Sequence, residues 1–77
     1  MPTVFNDNGF RGMVYPNDHD PVHVHAYKRG SQAKINAKTL ELIAVMGEYS
    51  KKDLKKAKQL TAKYQAVIFE KWEELYG

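Results

Sequence analysis

Three histidines, His19, His23 and His25, fall within the short run Asp18-His19-Asp20-Pro21-Val22-His23-Val24-His25, and they are the only histidines in the chain. An imidazole has an unperturbed pKa near 6.5, so of two neighbouring rings one can accept a proton while the other donates at neutral pH. The alternation of His23 and His25 with valine is that of a half-buried strand, whose side chains point alternately to opposite faces. It predicts Val22, Val24 and Ala26 inward, with His23, His25 and Tyr27 in a row on a polar, solvated face. On that face His23 and His25 are candidate acid and base for cleavage of a phosphodiester, with His19 as a third candidate catalytic residue. Tyr27 would stack on a base, and Arg29 and Lys34 would neutralise phosphate.

Two other readings use the same residues. His19, His23 and His25, with Asp18 or Asp20, resemble a metal-ligand set. Lys34 is expected directly opposite His25, where an ammonium would oppose a bound dication, so no metal and no cofactor is expected. Alternatively the histidines merely cover a solvated sheet face, which needs no function to explain it.

A sheet must position these residues. Thr3 to Phe5 and Phe10 to Tyr15 flank Asn6-Asp7-Asn8-Gly9, whose Asn-Gly step marks a hairpin because both residues tolerate positive φ. Val22 to Tyr27 and Gln32 to Asn36 flank Lys28-Arg29-Gly30-Ser31. The implied register sets Val24 opposite Ile35 and Ala26 opposite Ala33 on the inner face, with His25 opposite Lys34 and His23 opposite Asn36 on the outer one. The near-continuous apolar run Leu40 to Met46 suits either a fourth or fifth strand or a buried helical turn, and a strand ending before Gly47 is the favoured reading.

From Ser50 onward the pattern changes to helical. Ser50 followed by Asp53 is a variant capping box, and no Gly or Pro interrupts the run before Gly77. At about 100° per residue, Leu54, Ala57, Leu60, Thr61, Tyr64, Val67, Ile68, Trp72 and Leu75 share one face. Phe69 projects among polar residues and is expected to be exposed. The fold class is therefore α+β: an antiparallel sheet of four or five short strands covered on one face by one long C-terminal amphipathic helix, a single domain over residues 1–77.

The net charge of +3 is unevenly spread. Lys51, Lys52, Lys55, Lys56, Lys58 and Lys63 face Asp53 alone between residues 51 and 63, while the rest of the chain carries no excess of positive charge. Lysines in the first turns oppose the helix macrodipole, which favours negative charge there. Lys51, Lys52, Lys55 and Lys56, with Phe69, are candidates for a polyanion or protein-partner surface, set against a lysine face kept for solubility. The absence of cysteine removes thiolate chemistry, and the absence of a Gly-rich phosphate loop or nucleophile elbow argues against a nucleotide-cofactor enzyme or a serine hydrolase. No apolar stretch approaches the roughly 18 residues of a membrane span, nor is there a leader pattern, so the expected location is cytoplasmic, without membrane contact.

Pro2-Thr3-Val4-Phe5, Asn17-Asp18-His19-Asp20-Pro21 leading into His23-Val24-His25, Ala33-Lys34-Ile35 and the late Trp72 together resemble the small bacterial domain-of-unknown-function family 4160 over essentially the whole chain. The chain departs from the usual pattern at Val22, where a second proline is common, and at Gly12-Met13, which replaces aromatic residues. Members of that family often stand beside a second small protein in pairs of toxin-antitoxin type. The resemblance implies a stress or mobile-element setting and a cognate small protein partner. Two functions follow as expectations: RNA binding or cleavage through the histidine-bearing face, or a non-catalytic module, an antitoxin or inhibitor, gripping another protein. Self-association is compatible with either.

Overall fold

The computed structural model describes residues 3–15 and 21–76. Five strands, β1 (Thr3–Asp7), β2 (Phe10–Met13), β3 (His23–Lys28), β4 (Ser31–Asn36) and β5 (Leu42–Met46), precede two helices, α1 (Lys51–Lys63) and α2 (Gln65–Tyr76). The strands form one antiparallel meander in chain order, with β1 and β5 at its edges. Both tight hairpins use two-residue turns in which each residue has positive φ: Asn8 (53°) with Gly9 (80°), and Arg29 (49°) with Gly30 (80°). Such turns match the right-handed twist of the flanking strands. They set the β1–β2 and β3–β4 registers. Val24 pairs with Ile35, His25 with Lys34, Ala26 with Ala33 and His23 with Asn36, as the alternation requires, and β2 joins with Arg11 opposite Tyr27 and Met13 opposite His25.

The inner face carries Phe5, Phe10, Val24, Ala26, Ala33 and Ile35, all buried beneath Ala57, Leu60 and Ile68 of the helices. α1 starts at Ser50, whose hydroxyl accepts from the Asp53 amide at 3.0 Å, so the capping reading holds. The expected single helix is instead two. The chain leaves helical geometry at Tyr64 (φ −104°, ψ 18°) without any glycine or proline. The cause is tertiary: the Tyr64 ring stacks on Phe5 of β1 (centroids 5.1 Å, 15° between planes), and its hydroxyl donates to Asp7 Oδ2 at 2.8 Å. The bend turns α2 so that Ile68, Phe69, Trp72 and Leu75 face the core and Val67 is exposed. Phe69 is thus half-buried, which corrects the expectation that it stands free for a partner.

Two ionic seams tie the helices to the sheet. Asp7 accepts from Lys63 at 2.9 Å and from Tyr64, and Asp53 of α1 accepts from Lys28 of β3 at 2.9 Å. Both carboxyls are held below their ordinary pKa of 3.8, Asp7 chiefly by the Lys63 hydrogen bond and then that of Tyr64, Asp53 chiefly by that of Lys28. A carboxyl whose folded pKa is depressed contributes stability above its unfolded pKa, and that contribution disappears as pH falls through the folded value. Urea midpoints measured against pH should therefore fall on acidification below about pH 4. An Asp7→Asn/Asp53→Asn variant should start lower at neutral pH and show a flatter acid limb; an unchanged acid limb would mean that these seams do not govern it.

Candidate functional site

The outer face of the sheet is built by the residues that alternate with the core. Arg11 and Met13 of β2 stand opposite Tyr27 and His25 of β3, and Gln32 and Lys34 of β4 extend the two rows. Tyr15, just beyond β2, folds over this surface. Its hydroxyl is hydrogen-bonded to that of Tyr27, and its ring meets the His25 ring edge-on at 4.9 Å. Between these groups lies an open cleft of about 360 Å³ lined by Arg11, Met13, Tyr15, Tyr27 and Arg29, with Gly9 and Lys28 at its turn end. Arg29 occupies the left-handed region. For a residue other than glycine this conformation costs of order 1 kcal/mol, and Asn or Gly is the relaxed choice.

The row of imidazoles differs from its expected form. His25 is half-buried, with Nδ1 3.1 Å from Gln32 Oε1. His23 is only 2% exposed, which corrects its expected place on a solvated face. Its Nδ1 donates to the Pro21 carbonyl at 2.7 Å, and its ring meets His25 at 5.0 Å and Trp72 of α2 at 5.4 Å, both edge-on. Tyr15, His25, His23 and Trp72 thus form a ladder of edge-to-face rings running from the cleft into the interior. The physical reason is the late indole: α2 brings Trp72 over a ring that strand alternation alone would leave wet. His19, Asp18 and Asp20 lie outside the described residues. Among the described residues no group of three or more His, Cys, Asp or Glu side chains could hold a metal ion.

A family model described as a domain of unknown function, DUF4160, matches residues 9–73. The chain belongs to the DUF4160 family. The matched span holds every residue that lines the outer cleft and the whole ladder of rings. Comparison with curated proteins and with solved structures finds no match to this DUF4160 chain. No helix is long and apolar enough to cross a membrane among the described residues.

Of the residues singled out in the sequence, Tyr27 and Arg29 meet in the cleft of the DUF4160 domain, while His25 and Lys34 stand one row away on the same face. Lys51, Lys52 and Lys55 are exposed and Lys56 half-buried on α1, apart from that cleft. Arg11 and Tyr15 were not singled out. Arg11 stands directly opposite Tyr27, a pairing that the long connection between β2 and β3 leaves unfixed in the sequence.

Proposed function

We propose that this protein binds RNA through the outer face of its sheet, as a small nucleic-acid-binding protein of toxin-antitoxin type. The observation that carries the reading is the cleft in which two tyrosines and two arginines converge, Tyr15 with Tyr27 and Arg11 with Arg29. Tyrosine faces stack on unpaired bases regardless of base identity, and guanidinium groups make bidentate pairs with phosphate. Arg29 adds support, since an arginine stands where the turn would be more relaxed with Asn or Gly. The reading is one of binding. Cleavage by a His23–His25 acid–base pair would require both imidazoles at the scissile phosphate, and the burial of His23 keeps it from a dissolved substrate.

Fluorescence anisotropy with an unstructured oligoribonucleotide tests this. Affinity should fall steeply between about 50 and 200 mM salt, because each neutralised phosphate releases counterions. An Arg11→Ala/Tyr27→Ala variant should bind roughly 10- to 100-fold more weakly, with the RNA left uncut throughout. Wild-type protein that binds no RNA at low salt would overturn the reading.

A second reading, a protein-binding module, is favoured by one observation. β5 is an edge strand of Leu42, Ile43, Ala44, Val45 and Met46 in which every residue is exposed, Met46 at 65%. Its free backbone edge and apolar side chains suit an extended segment of a partner protein added as a sixth strand. Absence of RNA binding at low salt transfers the assignment to this reading.

A further inference from the structure

We infer that the RNA held by the outer cleft is single-stranded and that it continues around the turn end of the sheet into a second cleft, where lysines of α1 hold its phosphates. The inference rests on the RNA-binding reading above. The second cleft, of about 520 Å³, lies between α1 and the turn end of the sheet and is lined by Phe10, Lys28, Lys52, Lys55, Lys56 and Gln59. Lys28 lines both clefts, and the second opens on the helix-covered side of the sheet, the first on the other. The Asn8-Gly9 and Arg29-Gly30 turns separate them, with Gly9 and Arg29 on the rim of one and Asn8 on the rim of the other.

The lysines divide into two kinds. Lys28, Lys63 and Lys71 are ion-paired, with Asp53, Asp7 and Glu74. Lys52, Lys55 and Lys56 have no carboxylate partner among the described residues. They sit at i, i+3 and i+4 on one face of α1, where like charges repel, and they crowd the positive end of the helix. Asp53, the one carboxylate lining this cleft, is committed to Lys28. Three ammonium groups in a concave, mutually repulsive cluster are relieved by an anion of extended shape, which a phosphodiester backbone supplies. A duplex is too stiff to pass from one face of a domain only about 34 Å long to the other, whereas a single strand turns freely. Base stacking on Tyr15 and Tyr27 also requires unpaired bases.

Oligoribonucleotides of about four and about twelve nucleotides, and a hairpin duplex of matching length, are titrated by anisotropy against wild type, Lys52→Gln/Lys55→Gln/Lys56→Gln and the corresponding glutamate variant, each checked for native circular dichroism. Wild type should bind the longer strand at least about 10-fold more tightly than the short one and more tightly than the duplex. Both triple variants should lose that length gain, with the glutamine variant binding the short strand within about two-fold of wild type. Binding of the short strand with a length gain that survives both triple variants, or a duplex bound as tightly as the single strand, overturns this inference alone. Binding of neither strand overturns the outer-cleft reading, and this inference with it.

Discussion

Replacing Gly12 with alanine is expected to lower the unfolding free energy by about 3 kcal/mol, and valine by more, as read from urea denaturation. A Cβ at Gly12 would lie 2.2, 2.5 and 2.6 Å from Cε2, Cδ2 and Cζ of Phe5, its cross-strand partner, so the ring occupies the space a side chain would need. Swinging the ring aside gives no relief. Phe5 is 5% exposed and its other face is stacked on Tyr64, whose hydroxyl is bonded to Asp7. Displacing Phe5 therefore disturbs the junction between α1 and α2 as well as the sheet. Domains are stable by roughly 0.05 to 0.15 kcal/mol per residue, so in a chain of this length such a loss consumes a large part of the total. Coupling identifies the mechanism: Phe5→Leu should cost less in the Gly12→Ala background than alone, because the smaller side chain vacates the contested space. A Gly12→Ala variant within about 0.5 kcal/mol of wild type would show that the ring is freer than its packing indicates.

The same corner of the molecule marks the boundary of what the sequence discloses. Turn chemistry and period-two alternation are local, and they place His25 opposite Lys34 and Val24 opposite Ile35 without knowledge of anything distant. The Ser50 cap is equally local. The bend at Tyr64 is not, because it depends on Phe5 and Asp7, which lie far earlier in the chain, and no breaker residue announces it. The break at this single residue then exchanges the environments of Val67 and Phe69, so a projection that assumes a continuous helix errs only beyond the bend. Within the candidate site, alternation correctly assigns His23 a face opposite Val24, but a face is not an exposure. Whether that face is wet is decided by Trp72 on α2. Arg11 and Tyr15 escaped notice for the opposite reason, since their neighbourhood is set by the β2–β3 register across a long loop rather than by a tight turn.

The burial of His23 leads to a prediction that separates structure from chemistry. His23→Ala should lower stability by about 2 to 4 kcal/mol, whereas His25→Ala should cost less than about 1 kcal/mol. At His23 the substitution removes a fully packed ring from between His25 and Trp72 and deletes the donor that satisfies the Pro21 carbonyl. It leaves both a cavity and an acceptor without its donor. A carbonyl only accepts, so Nδ1 carries a proton in this contact. At His25 the half-buried ring gives up a hydrogen bond to Gln32 and edge contacts with Tyr15 and His23, on the open side of the ladder. RNA affinity discriminates in the other direction. Counted per folded molecule it should stay within about two-fold for His23→Ala, but fall for His25→Ala, because the Tyr15 ring that closes the cleft rests on His25. His23→Phe is the control, since it keeps the aromatic ladder without the donor and should recover part of the stability. A His23→Ala variant as stable as wild type that nevertheless lost an action on RNA would return the imidazole to the chemistry. Loss of stability with affinity intact leaves His23 a core residue, outside the RNA site proposed for Arg11, Tyr15, Tyr27 and Arg29.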